Sequence, residues 1–318
     1  MDTLIIMLKN VLIFVLLAVP GYLLTKNKLL KPQESGTFSK LLTNLGMPFL
    51  ILSSTMKLEF TGRFTISLVA MGIIGLAFTF LMFFLSTLFV RFEKEEKRKG
   101  MLRFAMIFAN NGFIGIPLAR AVFGEGSVVM AYMIVLNIIM NITLFTLGIY
   151  LISGDKNAIN LKKAFLTPVF LSFLIGIGLN LMGVCKAVPE LLTYSNHLSG
   201  IVTPLSMVVL GMKLAEVPMK RLFTTGRMYY VSLVKLVIFP ALGALIMYLL
   251  QWIPGLGMDA DAVIAFFVAF AMPTAGLASV LSDQHNGDTE NAVIFTLGTT
   301  ILSAFAIPVL YWLLCTLL

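Results

Sequence analysis

Charge is scarce in this chain. Of 318 residues, only 12% are Asp, Glu, Lys or Arg, where a soluble domain carries roughly 25%. So few charges cannot coat a water-facing body of this length. A soluble enzyme and a disordered chain are thereby excluded. Cysteine is also rare. Cys185 and Cys315 stand far apart, with no CxxC pair and no metal-ligand spacing. They read as small packing residues, and no metal site is expected. Histidine occurs twice. His285 shares a polar connection with Asp283, Asp288 and Glu290, which reads as a solvated loop. No GxxxxGK[ST] run is present, so direct ATP drive is not expected. No HExxH or GxSxG motif suggests hydrolysis. The chain therefore does not read as an enzyme, and no cofactor is expected.

What fills the chain is apolar: 59% of residues, in long runs. About 20 apolar residues cross a bilayer as a helix. Runs and breaks predict an all-α polytopic membrane protein of ten spans. They lie at roughly 4–25, 36–55, 65–90, 102–122, 128–152, 166–184, 191–212, 228–252, 260–282 and 291–316. The first run is too long for a signal-peptide core and lacks an early basic cluster, so it reads as a retained span. The net charge of +8 sits mostly between the runs. It speaks for orientation in the bilayer rather than for nucleic acid.

The basic residues alternate by connection. Lys26, Lys28, Lys31, Lys40, Arg91, Lys94, Lys97, Arg98, Lys99, Arg103, Lys156, Lys162, Lys163, Lys213, Lys220, Arg221 and Arg227 accompany odd-numbered connections. Only Lys57, Arg63, Arg120 and Lys186 accompany even ones. Basic residues stay in the cytoplasm. Odd connections are thus expected inside, with both termini outside the cytoplasmic membrane.

Two landmarks repeat at one offset. Pro48 and Lys57 in span two correspond to Pro204 and Lys213 in span seven, 156 residues on. The same offset carries Pro117 to Pro273. This predicts two five-span repeats, 1–152 and 166–318, joined by a cytoplasmic connection at 153–165. An odd number of spans per repeat inverts the second copy, the plan of many secondary transporters.

Spans four and nine carry the chemistry. Span four reads Asn110-Asn111-Gly112-Phe113-Ile114-Gly115-Ile116-Pro117; span nine reads Ala271-Met272-Pro273-Thr274-Ala275-Gly276. Two mid-membrane amides need partners. Each proline removes a donor and disfavours helix at the residue before it, Ile116 in span four. Such breaks are tolerated where protein covers them or a cavity is wet. Discontinuous, crossing helices are expected here. The half-helix starts after Pro117 and Pro273 suit an anion such as a carboxylate.

Asn110 through Gly115-Ile116-Pro117-Leu118, with Arg120-Ala121 and Phe123-Gly124, resembles the auxin efflux carrier family. That family includes PIN-like plant carriers and prokaryotic malate-type organic-acid permeases. The resemblance spans nearly the whole chain. The short loop at 153–165 suits a prokaryotic member. The family is distantly similar in fold to bile-acid sodium symporters and to sodium/proton antiporters. The resemblance implies a scaffold of spans 1, 2, 6 and 7. It implies a transport domain of spans 3–5 and 8–10, moving elevator-like, with Asn110 at the substrate.

Candidate substrate-binding residues are therefore Asn110, Asn111, Gly112, Pro117, Pro273 and Thr274. Asn44, a helical turn before Pro48, and Lys235, inside span eight, join them as polar groups within apolar runs. Lys235 can meet a carboxylate or a carbonyl, or snorkel. Asn137 and Asn141 share a helix face. No acidic residue lies clearly in mid-membrane, which weakens proton antiport through a buried acid. The function expected is secondary-active or facilitative transport of a small organic anion, a carboxylate or an auxin-like acid. A gated anion channel and a ligand sensor are the alternatives. Na+ or H+ coupling, direction, cargo identity and assembly (a homodimer included) stay open.

Overall fold

The computed structural model describes residues 2–159, 162, 165–216, 219–253 and 255–318. Lys163, counted above in a basic connection, lies outside them. The described residues form helices and turns, and their β-structure is one isolated bridge.

Helix Gly62–Phe89 shows what solvent the fold is built for. Its buried face carries Ser67, Met71, Gly75, Phe78, Thr79 and Ser86. Its outer face carries Ile66, Val69, Ile73, Phe80 and Phe84, with Ile73 and Phe84 each 64% exposed. The small and polar groups lie on the inner face, beside Met71 and Phe78, and the outer face is large and apolar. Water would penalise that face at about 25 cal/mol per Å2; lipid does not. Among the described residues, six helices are long and apolar enough to cross a membrane: Leu8–Lys26, Gly62–Phe89, Val128–Ser153, Pro189–Glu216, Gly226–Leu250 and Thr289–Leu317. The protein is a multi-pass membrane protein.

Among the described residues, three apolar helices are shorter: Asn111–Phe123, Pro168–Leu181 and Ala260–Ala271. Ala260–Ala271 has 12 residues. It rises about 18 Å, short of the about 30 Å hydrocarbon core. Two of these short helices, Asn111–Phe123 and Ala260–Ala271, lie in the runs expected as spans four and nine. The region expected as span two is also bent: Glu34–Leu41 and Met47–Met56 flank a wide π turn, Leu42–Gly46. Further wide turns occur at Asn111–Gly115, Leu144–Gly148 and Val234–Ile238. Pro48, Pro117 and Pro240 follow three of them by two residues. A proline ring clashes with the carbonyl four residues back. Widening the preceding turn moves that carbonyl away. Leu144–Gly148 instead ends on Gly148, which faces the rings of Phe104 and Phe108.

The chain divides into two compact units. The first comprises residues 1–61, 112–134 and 166–218. Its helix Asp2–Lys26 runs along Val202–Glu216. Gly21 abuts Val208 O and Gly211 abuts Ala18 O, so closely that a methyl group at either glycine would collide with backbone. Small residues are what let membrane helices approach so near. Met47–Met56 packs on Pro168–Leu181 and Pro189–Ser199. Asn180 Nδ2 donates toward the carbonyls of Thr55, Met56 and Leu58 at 3.1, 2.8 and 2.8 Å, closing that helix's C-terminal end. Glu125 ion-pairs with both Lys57 and Arg120.

The second unit comprises residues 62–111, 135–165 and 219–318. Phe78 stacks edge-on against Phe266 and Phe270, with centroids 5.2 and 4.8 Å away. Arg103 donates to Ser86 Oγ at 3.0 Å and to Phe83 O at 2.8 Å. At one end, Glu93 pairs with Arg227 at 3.0 Å and Arg98 at 3.7 Å; Arg98 also reaches Asp288 at 3.7 Å. Burial pushes the Glu93 carboxyl up. Backbone N–H bonds from Glu95 and Lys94, with the charges of Arg227 and Arg98, outweigh burial and hold it below the ordinary carboxylate value.

Candidate functional site

The second unit contains a crossing of two interrupted helices. Helix Glu96–Ile107 stops where Phe108 turns extended, at φ −86° and ψ 123°. Helix Ala260–Ala271 stops where Met272 turns extended, at φ −62° and ψ 148°. Met272 precedes Pro273, and a residue before proline is driven out of the helical region. The two extended pieces run antiparallel, with Ala109 opposite Thr274. Asn110 N–H donates to Pro273 O at 2.8 Å, and Ala275 N–H donates to Phe108 O at 2.9 Å. Within a membrane, every freed backbone group needs a partner. Here each break supplies partners for the other.

Side chains fasten the crossing. Thr274 Oγ1 donates to Ala105 O at 2.9 Å, and Thr274 N–H donates to Thr299 Oγ1 at 3.0 Å. Lys235 comes from the wide turn Val234–Ile238 and is fully buried. Its Nζ donates to Ile107 O at 3.1 Å, the last carbonyl of helix Glu96–Ile107. A cation suits that helix end, where the dipole is negative and carbonyls lack helical partners.

Asn110 is half-buried, with its backbone committed to Pro273. Asn111 is fully buried. Among the described residues, neither its Oδ1 nor its Nδ2 has a hydrogen-bond partner. An amide offers two donors and two lone pairs, and leaving them unmet costs about 1–3 kcal/mol. Asn111 also begins a helix, Asn111–Phe123, whose first N–H groups lack helical partners.

The structure thus gathers Asn110, Asn111, Pro273, Thr274 and Lys235 into one unit. Asn44, Gly112 and Pro117 belong to the other. Asn44 is exposed, and its Nδ2 bonds back to Lys40 O at 2.8 Å within its own helix. Pro117 is buried near the start of Ile116–Phe123. Here the sequence reading needs correction. Ile116 is helical despite preceding a proline, because the wide turn before it makes room for the ring. The break lies at 108–110 and places Thr274 opposite Ala109. Asn137 and Asn141 bond to each other, Asn141 Nδ2 donating to Asn137 O at 2.7 Å and to its Oδ1 at 3.2 Å. Thr299 escaped the sequence reading. Its hydroxyl also donates to Phe295 O at 2.7 Å, the ordinary habit of a helical threonine, so nothing in the sequence sets it apart. Among the described residues, no group of three His, Cys, Asp or Glu could hold a metal ion.

An all-helical body with lipid-ready faces and two interrupted helices crossing inside one unit defines a class, the polytopic transport proteins. A sequence model of the family described as "Membrane transport protein" matches residues 6–311. The chain belongs to that family, the auxin efflux carrier family. It is similar to an uncharacterized transporter of Methanothermobacter thermautotrophicus (strain Delta H), 28% identical over 300 residues that cover 94% of each chain.

Proposed function

We propose that the chain carries a small organic anion, a carboxylate or an auxin-like acid, across the cytoplasmic membrane by alternating access. It does so as a secondary-active or facilitative transporter. The observation that carries this reading is the crossing, with the buried, unpartnered amide of Asn111 beside it. A carboxylate would accept from Asn111 Nδ2 and from the N–H groups that open the following half-helix. Asn110 would contribute a side chain that the crossing itself does not use.

The topology proposed is ten crossings in two inverted repeats, with both termini outside. Ion pairs support the alternation. Glu93, Arg98, Arg227 and Asp288 tie together connections three, seven and nine. Lys57–Glu125 ties connection two to connection four. Odd meets odd and even meets even. Spans one, two, six and seven would serve as scaffold, and the unit holding the crossing would shift elevator-like.

The test is uptake into sealed proteoliposomes of labelled mono- and dicarboxylates and indole acids, with and without a sodium or proton gradient. Saturable, competed uptake of one acid is the expected result. Flux that never saturates and shows no exchange would instead mark a gated channel. Binding without uptake would mark a sensor.

A further inference from the structure

Lys235 is positioned by a partner without net charge. Its Nζ lies 3.1 Å from Ile107 O, and its side chain is fully buried. The wide turn that carries it packs against Glu96–Ile107, Gly226–Leu233, Phe239–Leu250, Ala260–Ala271 and Thr289–Leu317. The charged groups on these helices are largely engaged elsewhere. Arg98 and Arg227 pair with Glu93, Lys99 with Glu96, and Glu290 with Arg221. Arg103 holds Ser86 and Phe83 O, Tyr229 holds Phe223 O, and Tyr230 holds Phe89 O. Lys97, Tyr248, Asp261, Tyr311 and Cys315 complete the titratable set on these helices. Among the described residues, no carboxylate forms an ion pair with Lys235.

Two chemical facts follow. A buried ammonium without a counter-anion is an uncompensated charge in a low dielectric. A neutral amine keeps two N–H donors and can hold the same carbonyl. The hydrogen bond that places Lys235 therefore does not fix its charge, and a nearby anion would. Ile107 immediately precedes the extended piece that begins at Phe108.

We propose that Lys235 is a proton site coupled to the transported anion. When a carboxylate docks at the crossing, the Lys235 amine takes one proton from water, forming its third N–H bond. When the carboxylate leaves, that proton returns to water. Carboxylate and ammonium then cross the low-dielectric path as a neutral pair. Transport of a monoanion becomes proton-linked without any buried acid. This inference rests on the anion reading of the crossing.

The test is calorimetric titration of the purified full chain with malate and with indole acetate, between about pH 6 and 9, where carboxylic acids are fully ionised. Two buffers of different ionisation heat report protons taken up per anion bound. Wild type should take up about half a proton per anion at the pH where the free amine is half protonated, and close to one above it. Its apparent Kd should rise toward a limit of about tenfold per pH unit above that point. Lys235→Met should bind more weakly, with no proton uptake and no pH dependence. Lys235→Arg, permanently charged, should bind without proton uptake, and it carries the test should Lys235→Met not yield monodisperse protein. Anion binding by wild type with no proton uptake overturns this inference alone, as does unchanged uptake in Lys235→Met. Failure of wild type to bind either acid at any pH removes the anion reading and this inference with it.

Discussion

Thr274 shows what one hydroxyl does at a membrane crossing. Its Oγ1 closes Ala105 O, a helix-end carbonyl that lipid cannot satisfy. Thr274→Val keeps the shape and orphans that carbonyl. It should cost about 1–3 kcal/mol, read as a lower thermal midpoint in detergent, and Thr274→Ser should restore most of it. An unchanged midpoint for the valine variant would mean the hydroxyl fastens nothing. Asn110 is the reverse case. Its backbone N–H makes the crossing bond, so Asn110→Ala should leave folded yield intact. If the side chain touches substrate, affinity should fall about fivefold to tenfold, the worth of roughly one hydrogen bond. Loss of folded protein with unchanged affinity in the survivors would assign Asn110 to structure. These residues were legible because amides and a lysine inside apolar runs stand out by their cost. Thr299 was not, because a helical threonine that bonds its own preceding turn looks the same wherever it points.

Elements turn on where prolines and glycines sit. The sequence marked Pro117 and Pro273 as equivalent breaks, yet only Pro273 lies in an extended segment. Pro117 is absorbed by the wide turn Asn111–Gly115. A sequence shows the proline but not the width of the turn before it, because that width is settled by packing. Gly21 and Gly211 carry a separate expectation. Each touches the facing backbone, and backbone cannot swing aside as a side chain can. Gly211→Ala should destabilise the first unit by about 1–3 kcal/mol, the usual cost of overpacking. Gly36, with open space around it, should accept alanine without loss. Thermal unfolding of the two variants side by side checks the contrast; equal midpoints would show that the two helices can part at little cost.

The whole molecule was legible as a membrane protein from charge scarcity alone, and as a family member from the stretch around Asn110. Its division into units was not. Each unit draws segments from both halves of the chain, and only tertiary contacts reveal such interleaving. At one end of the second unit, Glu93 binds connections that are distant in sequence. A carboxyl held below its unfolded value stabilises the fold above that value, and the stabilisation fades as pH falls through the folded-state value. Stability in detergent should therefore drop as pH falls below about 4.5, the ordinary value for Glu93. Glu93→Gln should lower the plateau above that pH and flatten the drop. A variant as acid-sensitive as wild type would assign the acid limb to other carboxyls.

The crossing also sets a problem of biogenesis. Phe108 and Asn110 are made early, and their hydrogen-bond partners at Pro273 and Ala275 come more than 160 residues later. A ribosome working at about 5–20 residues per second reaches them roughly 8–30 seconds afterwards. Through that interval the nascent first half must keep a broken helix in or beside the bilayer with its polar backbone unmet. Water at the interface or the insertion machinery has to shelter it. Synthesis rate across residues 111–272 is thus a variable on which correct assembly depends.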